Sequence, residues 1–209
     1  MESKVVDEIW PEGVEGAKYG ALVVTISAIL FYCISRIFVH VVPAVARQSH
    51  WRWKNITVSF IHSLLSGLWA VYEQPKMAED VIKSHSVLAH TLISVSVGYF
   101  VYDLIDLLVY QRNRQTYELI GHHIITCFSV AIVTKYYIGY AVISLIVELN
   151  SVFLHMRQLL QICGYPKQNK IYRLNSLVNL GTFVACRIAI LAWMSSFEML
   201  SYEYYMYNR

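Results

Sequence analysis

VGYFVYDLIDLLVY, residues 97–110, sets two carboxylates inside a run that is otherwise apolar and aromatic. Tyr99, Tyr102, Asp103, Asp106 and Tyr110 recur at spacings of three and four, which puts them along one face of a helix. An ionisable side chain within a bilayer is expensive unless it faces protein or water. The stripe therefore predicts a membrane helix with its polar side turned into a bundle. It fits either a lipid or ion site or a buried network that ties helices together.

The rest of the chain has the same character. Of 209 residues, 56% are hydrophobic and 15% charged, a balance outside that of ordinary soluble domains. A bilayer core of about 30 Å takes about 20 helical residues. Six runs of that kind lie near 17–42, 55–72, 87–110, 119–138, 139–162 and 176–198, with Pro43, Pro75 and Pro166 expected at the breaks. The fold class that follows is all-α, a polytopic membrane protein with about six transmembrane helices. Asp7, Glu8, Glu12 and Glu15 before the first run exclude a basic-flanked signal peptide, so that run is expected to be retained.

Lys and Arg set the expected orientation. Arg47, Arg52, Lys54, Arg112, Arg114, Arg157, Lys167, Lys170 and Arg173 follow the first, third and fifth runs, which places those segments in the cytosol and the N-terminus outside. The net charge of +3 comes mainly from these segments and suits anionic headgroups, not nucleic acid. The sequon Asn55-Ile56-Thr57 falls on the cytosolic side and is expected to be unmodified. Cys33, Cys127, Cys163 and Cys186 form no CxxC pair and read as small buried hydrophobes. The tail SYEYYMYNR reads as interfacial.

Other polar residues also sit in apolar runs. In VELNSVFLHMRQLL, Glu148, Asn150, Ser151 and His155 cluster, and Glu148 and His155 return to one face after two turns. Arg157 and Gln158 are expected to snorkel. Arg187 has no acid near it in sequence and is expected to pair with Glu148 or an Asp of the third span. His62 and His90 read as hydrogen-bonded structural histidines.

YELIGHHIITCF, residues 117–128, adds an adjacent histidine pair. Metal binding would need several imidazoles or carboxylates converging on one ion. One HH with scattered histidines does not supply them, so no metal and no cofactor are expected. Acyl transfer would need a base or nucleophile beside a lipid, with an acid to orient the ring. His122 or His123 could serve, with Asp103, Asp106 or Glu148 as orienter. Packing, with each ring bonded to a neighbouring helix, is the third reading. Adjacent helical residues point about 100° apart, so only one ring should face a cavity squarely. Glu118, four residues earlier, is a ready partner for His122, which leaves His123 as the functional ring.

WRWKNITVSFIHSLLSGLWA (51–70), SVGYFVYDLIDLL (96–108), YELIGHHIIT (117–126) and LIVELNSVFLHMRQLL (145–160), in this order, resemble the signatures of TLC-domain proteins, the group that includes the ceramide synthases and the TRAM translocon proteins. The resemblance divides the chain into residues 1–44, an N-terminal segment with the first span, and 45–209, the TLC domain. It implies a helical ring around a cavity lined by Tyr99, Asp103, Asp106, Glu118, Glu148, Asn150 and Arg187, with His122 and His123 as catalytic candidates. It implies membrane phospholipids or acyl lipids as partners, and acyl-CoA where transfer takes place.

Where ceramide synthases read like HDxSD, this chain has Val147-Glu148-Leu149-Asn150-Ser151, which replaces the His with Val and the second Asp with Ser. Ceramide synthesis is thereby put in doubt. Chains with the ELNS form resemble regulators of plasma-membrane phospholipid composition and fluidity that limit incorporation of long-chain polyunsaturated acyl groups. An acyl-CoA-dependent lipid acyltransferase and a non-catalytic membrane-protein chaperone are the alternatives, and the endoplasmic reticulum is the alternative location. Similar chains continue into one more span after the sixth, so a ring lacking its last helix is expected, as a short isoform or an incomplete gene model.

Overall fold

The computed structural model describes residues 13–79, 81, 86–111, 114–136 and 138–196. The Tyr-rich tail and Asp7, Glu8 and Glu12 lie outside the described residues. The described chain is helical and has no strand: α1 Gly13–His40, α2 His50–Glu79, α3 Val87–Tyr110, α4 Arg114–Tyr136, α5 Ile138–Leu145, α6 Glu148–Ile162 and α7 Lys170–Thr182. A 3₁₀ segment, Ala44–Ser49, leads from α1 into α2, and a π-helical segment, Phe183–Ala189, continues α7.

These helices cover all six expected runs, and the stretches Glu15–His40, Val87–Tyr110, Ile138–Ile162 and Lys170–Ser196 are long and apolar enough to cross a membrane. The protein is a multi-pass helical membrane protein. In α2 the side chains of Lys54, Asn55, Ser59, His62, Ser63 and Glu73 are buried, while Leu64, Leu65, Leu68 and Tyr72 face outward. Its polar groups thus lower the hydropathy of the helix without meeting lipid.

Two breaks differ from expectation. Pro75 lies inside α2, which runs on to Glu79. One turn from the helix end, the ring removes only its own bond to the Val71 carbonyl, and few turns remain to be disturbed. The fifth run is two helices rather than one. At the joint, Ile146 N–H bonds to Ile143 C=O at 3.1 Å and Val147 N–H to Ser144 C=O at 3.3 Å. Ser144 Oγ donates to the Ala141 carbonyl at 2.7 Å, a side-chain bond of the kind that bends helices. The four cysteines are free, as their spacing led one to expect, but not buried: Cys33 is exposed and the others are half-buried.

Packing follows small residues. α1 lies against α3 so closely that a Cβ on Gly98 would stand 2.6 Å from both Ser27 Cβ and the Val24 carbonyl, and Ser27 Oγ donates to the Val95 carbonyl at 3.0 Å. An apolar core of Ala70, Met77, Leu92, Ile138 and Val142 joins α2, α3 and α5. Phe31, Val58, Tyr99, Phe100 and Tyr102 form a second core between α1, α2 and α3. α3 packs on α4 and α2, α2 on α6, and α6 on α7, so these five helices form a wall around the site.

α6 ends in a tight reversal. Gly164, at φ 77°, stands in the left-handed region, Tyr165 N–H reaches back to Leu160 C=O and Gly164 N–H to Gln161 C=O, each at 3.0 Å. This is a Schellman cap, and a side chain at the left-handed position is disfavoured. Gly164→Ala should cost about 1 kcal/mol, read as a lower unfolding midpoint in detergent. A midpoint equal to that of the wild type would show that the turn tolerates a Cβ.

Candidate functional site

The α3 stripe meets α2 across a chain of polar contacts. Lys54 Nζ lies 2.5 Å from Asp106 Oδ1, both side chains buried. Trp51 Nε1 donates to Asp106 Oδ2 at 2.9 Å. Asn55 Nδ2 donates to Asp103 Oδ1 at 2.6 Å and reaches Asp106 Oδ2 at 3.4 Å. The other oxygen of Asp103 is 3.3 Å from His123 Nδ1, a close approach without hydrogen-bond geometry. His123, Asp103, Asn55, Asp106 and Lys54 thus follow one another from α4 through α3 to α2. Asn55 holds one carboxylate oxygen of Asp103, which leaves the other directed at the imidazole. The same contacts bury the amide of the sequon.

This chain of residues borders a cavity of about 480 Å³, within the usual range of small-molecule sites. Trp51, Arg52, Gln111 and Gln158 line it near the helix ends expected to face the cytosol, and Ser63, Tyr99, Glu148, Ser151 and Arg187 line its deeper part. From Trp51 to Ser63 the wall runs roughly 18 Å at about 1.5 Å per helical residue. Deep in the cavity Ser63 Oγ donates to Glu148 Oε2 at 2.7 Å, and Arg187 Nη2 donates to Ser151 Oγ at 3.1 Å. Behind the wall His62 stacks on Tyr99, ring centroids 3.8 Å apart.

Both histidines of the pair line the cavity, their rings 5.9 Å apart. His123 is buried against Phe100 at 5.3 Å, whereas His122 is exposed. Tyr99, Asp103, Glu148 and Arg187 also line the cavity. Glu118 does not. It points outward and pairs with Arg114 at 3.3 Å, one turn back along α4, so it is no partner of His122. Asp106 is held behind the wall by Lys54 and Trp51. Asn150 faces α7, where it donates to the Asn179 carbonyl at 2.9 Å and to Thr182 Oγ1 at 3.2 Å, and so joins helices. The expected pairing of Arg187 with Glu148 is met at longer range: the two attract each other electrostatically, while among the described residues no carboxylate lies within direct ion-pair distance of the guanidinium. The π-helical segment directs it to Ser151, the position where a ceramide synthase-like block would have its second Asp.

Trp51, Lys54, Asn55 and Ser63 belong to the site, although none stands among the sequence's site candidates. Lys54 read as a cytosolic flank and Asn55 as part of a sequon. A signal was present, because a basic residue beside an amide at the start of a span can complement two acids at the end of the next antiparallel helix.

The TLC domain family model matches residues 52–208. TLC domain-containing protein 2 of Danio rerio is 47% identical over 165 residues, 77% of this chain and 67% of that protein. Its Homo sapiens counterpart is 39% identical, over 73% of this chain and 60% of that protein, and TLC domain-containing protein 1 of Gallus gallus is 36% identical, over 70% and 61%. The chain therefore spans about two thirds or less of the length of these relatives. No solved structure matches it. The match spans the helices from α2 to α7, which include those that wall the cavity, and the chain belongs to the TLC-domain family.

Proposed function

We propose that the chain holds an acyl lipid in this cavity and thereby adjusts the acyl composition and fluidity of membrane phospholipids, limiting incorporation of long-chain polyunsaturated acyl groups, chiefly at the plasma membrane. The observation that carries this reading is a buried imidazole, His123, beside Asp103 on the wall of a membrane-embedded cavity with both polar and apolar sides. Leu107, Leu119 and Leu154 offer contact to an acyl chain, while Ser63, Glu148, Ser151 and Arg187 offer polar partners to its head. The same His–Asp proximity supports a second reading, acyl transfer from acyl-CoA, in which His123 acts as the base and a small ring rotation on substrate binding brings its Nδ1 into hydrogen-bond geometry with Asp103.

His123→Gln separates these from a purely structural role. Glutamine keeps hydrogen-bonding capacity but cannot shuttle a proton. Protein abundance should stay near wild type while the effect of the chain on phospholipid acyl unsaturation is lost. His122→Gln, at an exposed position, should reduce the effect less. Appearance of a new acylated lipid dependent on His123 would select transfer. A fall in abundance with a merely proportional lipid change would make the pair structural and remove both readings.

A further inference from the structure

A second concavity lies outside the cavity and shares no residue with it. The loop after α6 and the outer face of α7 form a groove of about 570 Å³, headed by Lys167 and Arg173 and continued by Leu174, Leu177 and Leu180. The reversal at Gly164 returns the chain towards α7. The wall is anchored by buried Tyr172, whose hydroxyl accepts from Gln161 Nε2 on α6 at 2.8 Å. Lys167 and Arg173 are exposed, as are the three leucines, and among the described residues neither cation is ion-paired. From Leu149 to Phe197 the sequence has no Asp or Glu, while Arg157, Lys167, Lys170, Arg173 and Arg187 fall within it.

We propose that this groove binds an anionic phospholipid, with the phosphate on Lys167 and Arg173 and one acyl chain along Leu174, Leu177 and Leu180. Two cations at the membrane-interface end of an apolar strip match a negative head joined to a hydrocarbon tail. A zwitterionic lipid would bring its ammonium beside two positive charges with no acid in residues 149–197 to receive it. Free phosphate would satisfy the cations and leave the leucine strip unused. The site does not depend on the function proposed for the cavity.

The test uses the purified full chain in mild detergent with an equal mixture of phosphatidylglycerol and phosphatidylcholine, and native mass spectrometry to read the lipid retained. Wild type should prefer phosphatidylglycerol by on the order of tenfold. Lys167→Gln with Arg173→Gln should bring the ratio to near parity, and the charge-keeping pair Lys167→Arg with Arg173→Lys should restore it. Arg36→Gln, at an exposed cation on α1, which packs on α3 and α2 and not on α7, should leave it unchanged. Parity in the wild type would mean that the face is covered by protein or takes bulk lipid. An equal loss in Arg36→Gln would mean diffuse surface charge, and displacement of the lipid by inorganic phosphate at constant ionic strength would mean a free-phosphate site. Any of these three results, or a preference that survives in the glutamine pair, overturns the proposal.

Discussion

Asp106→Ala should destabilise the bundle by about 3–5 kcal/mol, as expected when one partner of a buried ion pair is removed. Asp106 accepts from Lys54, Trp51 and, at longer range, Asn55. Without it the Lys54 ammonium stays inside with its side chain only 7% exposed, retaining the Tyr110 ring 4.8 Å away as a weaker partner. The indole N–H of Trp51 is stranded as well, a further cost of burial without a hydrogen bond. The double change Lys54→Met with Asp106→Leu removes both charges and should recover the part of the loss due to the stranded ammonium, leaving the cost of the unbonded Trp51 indole. Denaturant titration in mixed micelles measures all three proteins. A loss under about 1 kcal/mol for Asp106→Ala, the range of exposed pairs, would mean that water reaches Lys54.

The second large effect is steric. Gly98→Val places a branched side chain where even a Cβ would stand 2.6 Å from the Val24 carbonyl and Ser27 Cβ. α1 must move away from α3, at about 3 kcal/mol or more for overpacking of a close helix contact. The shift would reach the site, because Phe31 on α1 lies edge-on to Tyr99 at 5.2 Å, and Tyr99 in turn stacks on His62. Ser27→Gly should rescue Gly98→Ala only in part, since the Val24 carbonyl is backbone and remains. Gly181→Ala is the matched control: nothing lies within 4 Å of its Cβ position, and alanine favours a helix over glycine by about 1 kcal/mol. It should be neutral or stabilising. Equal stability of Gly98→Val and wild type would show that α1 packs loosely.

The sequence by itself determined that this is a helical membrane bundle and which side of α3 turns inward. Those properties are local: apolar length against bilayer thickness, and polar residues repeating at the helical period. Four ordered blocks also sufficed for the family, because residues that line a shared cavity recur at set places along the chain. Only the tertiary structure decided the partners. The period of α3 aligns Asp103 and Asp106 equally well, yet a small difference in angle sends one to His123 and the cavity and the other to Lys54. Glu118 and His122 share a helical spacing, yet the exposed Arg114 holds Glu118 outside. Arg187, carried on the π-helical segment, needed a partner by charge balance, and α6 supplies the Ser151 hydroxyl at hydrogen-bond distance. Spacing along one helix specifies a face, while the identity of the side chain opposite depends on the rotation and height of another helix, which are set by distant packing such as Gly98 against Ser27 and Asn150 against Thr182.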